Sequence, residues 1–117
     1  MPRQVKIYHN PRCSKSRQTL QLLRDKGIEP EIVEYLKDSP SAKETAELID
    51  MLGVEPHAVL RVKEAAYKEA GLTPQSSKQE IARAIAEHPI LLERPIVVVD
   101  GRNAALGRPP EGVEAIL

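Results

Sequence analysis

Val5-Lys6-Ile7-Tyr8-His9-Asn10-Pro11-Arg12-Cys13-Ser14-Lys15-Ser16 changes its structural period within one short stretch. Val5 to Tyr8 alternates apolar and polar residues, the period of a half-buried strand. His9-Asn10-Pro11-Arg12 then breaks the pattern, because Pro11 lacks an N–H and pushes Asn10 out of the α region. From Ser14 to Lys26 nothing interrupts a helix, and Ser16, Leu20 and Leu23 fall on one face. Gly27 supplies a left-handed stop and Pro30 follows it. Glu31-Ile32-Val33-Glu34-Tyr35-Leu36 is a second strand candidate. The opening therefore reads β-α-β, which predicts a right-handed crossover and a parallel strand pair.

Outward from that unit the chain turns helical. Ser41-Ala42-Lys43-Glu44 has capping-box spacing, followed by Ala42, Ala46, Ile49 and Leu52 at helical intervals up to Gly53. Residues 57–71 hold a short helix or two, ending at Gly71. Ser77-Lys78-Gln79-Glu80 repeats the capping pattern, with Ile81, Ala84, Ile85 and His88 on one face and Pro89 as the stop. Ile96–Val99 and Ala104-Ala105-Leu106 flank Asp100-Gly101, a two-residue hairpin signal. From Pro109 the tail reads as a closing helix, proline being suited to a first turn. The expected fold is a small α/β sandwich with a mixed central sheet. It forms one domain over 1–117, with a helical insertion at about 40–90.

Composition narrows the function. Seventeen Lys and Arg balance seventeen Asp and Glu among 117 residues, so the chain lacks the basic excess of a nucleic-acid binder. Three tyrosines without Phe or Trp leave almost no platform for stacking bases. Apolar runs stop at four or five residues, against the roughly 20 of a membrane span. The opening Met1-Pro2-Arg3-Gln4-Val5-Lys6-Ile7 has no apolar core of a signal peptide, so a cytoplasmic protein is expected.

A single cysteine, Cys13, excludes an internal disulfide and a multi-cysteine metal site. It lies between a strand and the first turn of a helix, where free N–H groups and the helix dipole favour an anion. Arg12, Lys15, Arg17 and His9 add positive charge nearby in sequence, and a protonated His9 would favour the thiolate further. The competing reading is a small buried hydrophobe. Ser16 either hydrogen-bonds the sulfur from one turn away or solvates the helix start. His9 is four residues from Cys13, but Pro11 keeps that segment non-helical, so no metal site is expected. A positioning or charge role suits His9 and Asn10 better. His57 and His88 read as structural or exposed. Arg61 interrupts Ala58-Val59-Leu60-Arg61-Val62, Arg94 precedes Pro95 at the start of the best strand, and Arg108 follows the hairpin. Each alone is ordinarily a surface charge. Together they could grip a tetrahedral oxyanion, which guanidinium forks match bidentately.

Four segments together resemble a known family: His9-Asn10-Pro11-Arg12-Cys13-Ser14-Lys15-Ser16-Arg17, Leu60-Arg61, Glu93-Arg94-Pro95-Ile96-Val97-Val98 and Gly107-Arg108-Pro109-Pro110-Glu111. In order and over nearly the whole chain they are similar to the glutaredoxin-coupled arsenate reductases, which have a thioredoxin-like fold. The resemblance implies Cys13 as nucleophile, His9 beside it favouring the thiolate, and Arg61, Arg94 and Arg108 as an oxyanion clamp. It implies glutathione as co-substrate, glutaredoxin as protein partner and no bound cofactor. Asn10 would join the substrate site and Ser16 the catalytic group, in a monomer. In a thioredoxin-like fold, Arg94-Pro95 is where a cis X–Pro bond would sit, and the sequence leaves open whether it is cis. Where the best-known members read Gly-Thr-Ser after the cysteine, this chain has Ser14-Lys15-Ser16, closer to a housekeeping-paralogue branch. Two alternatives stand beside it. One is a glutathione-dependent thiol oxidoreductase of another substrate. The other is a regulatory protein-binding module, as in a branch that binds RNA polymerase, whose members usually carry two cysteines.

Overall fold

The computed structural model describes residues 4–117; Met1-Pro2-Arg3, part of the stretch in which no leader was expected, lies outside them. The backbone gathers into two compact units, one of the residues up to Tyr35 with Arg94–Leu117, the other Leu36–Glu93.

The first unit holds the sheet. Strand β1 is Val5–Tyr8, helix α1 is Ser14–Asp25 and strand β2 is Glu31–Val33. After the second unit the chain returns as β3, Ile96–Val99, and β4, Asn103–Leu106, and closes with a 3₁₀ helix over Pro110–Ile116. The four strands lie in the order β2-β1-β3-β4. β1 pairs in parallel with β2 and antiparallel with β3, and β3 pairs antiparallel with β4. The sheet is therefore mixed, and the fold belongs to the α/β class. Val5 stands opposite Val99 and Ile7 opposite Val97. Alternation puts these four on one face, where they form a core with Leu20 and Leu23 of α1 and Val113 of the closing helix. Full burial of a side chain such as Leu23 contributes about 1.5–3 kcal/mol.

Helix α1 stops as its sequence predicts. Gly27, at φ 79°, donates to Arg24 C=O at 2.9 Å, and Ile28 N–H reaches Leu23 C=O at 2.9 Å. These two bonds make a Schellman motif, which needs a left-handed residue after the cap.

Three details differ from expectation. β2 ends at Val33 rather than Leu36 because β1 ends at Tyr8: His9 N–H still reaches Val33 C=O at 2.8 Å, and beyond it β2 has no ladder partner. The hairpin turn has Asp100 and Gly101 both at positive φ and closes through Arg102 N–H on Val99 C=O, 3.1 Å. Val99 registers with Asn103, however, so the loop holds three residues, not two. The closing helix is 3₁₀ throughout rather than α. Pro109 and Pro110 supply no amide donors, and Gly112 weakens helix propensity in its middle.

The second unit is helical: α2, Ala42–Leu52; α3, Ala65–Glu69; and α4, Lys78–Glu87, with 3₁₀ turns at Pro56–Val59 and Pro89–Leu91. Both capped starts form. Ser41 Oγ accepts from Glu44 N–H, and Ser77 with Glu80 makes a reciprocal capping box. α2 packs on α4, whose buried face carries Ile81, Ala84 and Ile85, and Lys78 is bonded to Asp50 at 2.9 Å. A single antiparallel bridge joins Leu60 to Leu92. Among the described residues no helix is long and apolar enough to cross a membrane.

Candidate active site

Cys13 is the N-cap residue of α1, half-buried, with extended backbone (φ −94°, ψ 123°). Its N–H donates to Asn10 C=O at 3.0 Å and its own C=O accepts the first helical bond from Arg17 N–H. An N-cap side chain faces the unsatisfied amides of the first turn. The sulfur closes no formal capping bond, yet those amides act on it. Burial pushes the Cys13 thiol up; the N–H of Ser16, a hydrogen bond from Arg94, the N–H of Lys15 and the Arg94 charge outweigh that, and the net direction is down.

The cations that matter come from the far end of the chain. The Arg94 charge lowers the Cys13 pKa, whereas the Arg17 guanidinium, which the sequence sets near Cys13, is bonded to Pro11 C=O at 3.0 Å. Arg108 Nη2 lies 3.5 Å from Cys13 Sγ, while its Nε donates to Arg94 C=O at 2.6 Å. Arg94 is half-buried, and its Nε and Nη1 are buried without an acceptor. Buried donors are nearly always satisfied in native folds, and a charged one left empty is costly. Two guanidinium groups thus converge on the sulfur, one with unused donors. Both Arg94-Pro95 and Arg108-Pro109 are cis; the second was not foreseen.

Ser16 is fully buried, and of the two roles the sequence left open its hydroxyl takes neither the sulfur nor the helix amides as partner. It accepts from Asn10 N–H at 3.0 Å and meets His9 Nδ1 at 2.6 Å. What Ser16 offers the sulfur is its backbone N–H. Asn10 Oδ1 accepts from Arg12 N–H at 3.0 Å, which folds the loop back onto itself. Burial lowers the His9 pKa, opposed by Glu34 and aided by Arg24 and Arg17. Burial thus disfavours the protonated ring that the sequence allowed for His9, whose Nδ1 instead meets the Ser16 hydroxyl.

A thiol at a helix N-terminus beside two guanidinium groups combines features that favour a thiolate with features that attract an anion. Residues 8–116 match the family model described as the ArsC family. The chain belongs to the ArsC family. It is 48% identical over 116 residues to a Neisseria meningitidis serogroup A protein named arsenate reductase, covering 97% of this chain and 98% of that one. A Haemophilus influenzae protein of the same name is 46% identical over 115 residues, covering 97% and 98%. The solved structure of arsenate reductase from Vibrio cholerae is 50% identical, covers 100% of both chains and superposes with a TM-score of 0.93. The mixed sheet and its flanking helices are thus the thioredoxin-like fold of ArsC proteins.

Within this ArsC-family chain, Cys13, His9, Asn10, Ser16, Arg94 and Arg108 all lie in the sheet-bearing unit. Arg61 belongs to the helical unit, where it is paired with Glu93 at 3.0 Å and Glu64 at 3.5 Å. His57 is also there, bonded to the Tyr67 hydroxyl at 2.7 Å in an edge-on ring contact. Among the described residues no group of three or more His, Cys, Asp or Glu is placed to hold a metal ion. Sequence reasoning missed Thr19 and Gly107. Thr19 is fully buried, and its hydroxyl is bonded to Lys15 C=O at 2.9 Å, with Gly107 C=O at 3.5 Å. The available signal was a polar residue on the same helical face as Ser16, Leu20 and Leu23.

Proposed function

We propose that this chain is an arsenate reductase, acting over 1–117 as one domain and using Cys13 as nucleophile. The observation that carries the reading is the Cys13 sulfur beside Arg108, at 3.5 Å, and beside Arg94, whose buried Nε and Nη1 lack acceptors. A tetrahedral oxyanion supplies those acceptors and neutralises the paired guanidinium charges. The names and near-complete coverage of the relatives support arsenate as that oxyanion.

In the first step Cys13 thiolate attacks arsenic. The S–As bond forms, and one arsenate oxygen takes up a solvent proton and leaves as water. Reduction needs two electrons, and the chain has one thiol. Glutathione therefore supplies the second: its thiolate attacks the Cys13 sulfur, the S–As bond breaks with its electron pair on arsenic, and As(V) becomes As(III). Arsenite leaves and Cys13 remains as a mixed disulfide with glutathione. Glutaredoxin then attacks the glutathione sulfur and returns Cys13 as thiolate.

In this reading His9 and Ser16 hold the first turn of α1 so that its N–H groups face the sulfur. Asn10 orders the loop and lines the anion site. Arg94 and Arg108 bind the oxyanion. No bound cofactor is required, and the working protein is a cytoplasmic monomer. The test is arsenite release by the purified chain with glutathione and glutaredoxin. Wild-type protein turns over and Cys13→Ser does not, because an alkoxide is far harder to form than a thiolate. Arsenite release by Cys13→Ser contradicts the reading.

A further inference from the structure

Gly107 is buried between the end of β4 and Arg108. A Cβ placed on it falls 2.5 Å from Thr19 Oγ1, 2.7 Å from Pro95 Cγ and 3.1 Å from Thr19 Cγ2. Favourable carbon contacts lie at about 3.5–4.0 Å, so no side chain fits. The requirement is for space, since the φ of Gly107 is outside the left-handed region. The neighbours have little freedom to yield. Thr19 is β-branched, fully buried and hydrogen-bonded to Lys15 C=O. Pro95 is buried, and its C=O accepts from Gly107 N–H at 2.9 Å.

These contacts join the three segments that carry the site. Thr19 lies on α1, the helix that begins at Cys13. Pro95 follows Arg94, and Gly107 precedes Arg108, whose guanidinium spans from Arg94 C=O to Cys13 Sγ. We infer that Gly107 is a positioning residue whose bare Cα sets the gap between Cys13 and the arginines Arg94 and Arg108. This rests on the arsenate reading of the same site. A methyl at 107 must lift the Arg108 segment from α1 or displace Pro95. Either movement widens the space in which both guanidinium groups meet one oxyanion.

The test uses the full chain and protection of Cys13 by sodium arsenate against iodoacetamide, with glutathione omitted. In Gly107→Ala the half-protecting arsenate concentration rises about tenfold, the order of one charge-assisted contact. The pH midpoint of alkylation without arsenate rises by less than in Arg94→Ala, because the Arg94 donor is moved rather than removed and the Ser16 and Lys15 donors stay on the helix of Cys13; a larger rise means a general loosening of the fold and overturns the inference. Thr19→Ala with Gly107→Ala removes the two Thr19 contacts, leaves only the Pro95 ring to re-pucker, and restores protection toward the wild-type value. If Gly107→Ala does not fold, the double variant decides: folded and protected, it supports the inference. Wild-type protection in Gly107→Ala overturns it, as does a double variant that is unprotected or unfolded. An unprotected wild-type chain is a different result, since it overturns the arsenate reading itself.

Discussion

Cys13 is governed by a contest between burial, which raises its pKa, and donors that lower it, with the Ser16 amide and Arg94 leading. Because the donors win, iodoacetamide alkylation should show a midpoint below the unperturbed thiol value of about 8.5. Arg94→Ala removes both a hydrogen bond and a charge, so its midpoint moves up; an unchanged midpoint contradicts the assignment. His9 carries a second pH effect. Its folded pKa is below the ordinary value of about 6.5, so the unfolded chain takes up a proton more readily. Its contribution to stability is complete above that value and is lost as pH falls through the folded pKa. Wild-type protein should therefore lose stability in urea more steeply than His9→Asn as the pH falls below about 6.5. Equal slopes contradict a buried neutral imidazole. Cys13 at a helix start was legible from Pro11, Cys13 and the unbroken run after it. The Ser16 hydroxyl was not, because its partners His9 and Asn10 depend on how the loop folds back, which no local period encodes.

Capping and patterning carried the elements. Ser41 and Ser77 sit at the caps that their spacing to Glu44 and Glu80 predicts, and Gly27 ends α1 in the geometry that a left-handed residue allows. Ser77→Ala breaks the reciprocal capping box, and it should cost about 0.5–2 kcal/mol, read as a lower denaturation midpoint with an unchanged m-value. No change in midpoint means the box contributes nothing. Boundaries were less legible where they depend on a partner. β2 has strand-forming residues through Leu36, but its length is set by where β1 stops, and Tyr35 is instead fully buried in a turn. The tail has a plausible helical start, and consecutive prolines with Gly112 hold it to 3₁₀ geometry.

At the scale of the whole molecule, residues distant in sequence make one site: Cys13 with Arg94 and Arg108, 95 residues apart in the Arg108–Cys13 contact. Sequence spacing could nominate these arginines only as a set, since each precedes or follows a strand for reasons of its own. Arg94→Ala and Arg108→Ala should each lower kcat/KM for arsenate roughly ten- to a hundred-fold, with Arg→Lys a poor replacement because an ammonium lacks the parallel donors. Arg61→Ala removes the pairing with Glu93 and Glu64 and should lower the urea midpoint; an unchanged midpoint means those pairs contribute nothing. The most direct measurement of the central claim is a single turnover with glutathione and arsenate but no glutaredoxin, followed by mass spectrometry of the Cys13 peptide. The account predicts one glutathione on Cys13 for each arsenite released, and no arsenite or arsenate-dependent adduct from Arg94→Ala/Arg108→Ala at the same arsenate concentration. Arsenite formed without glutathione on Cys13, or adduct formation indifferent to arsenate, would contradict it.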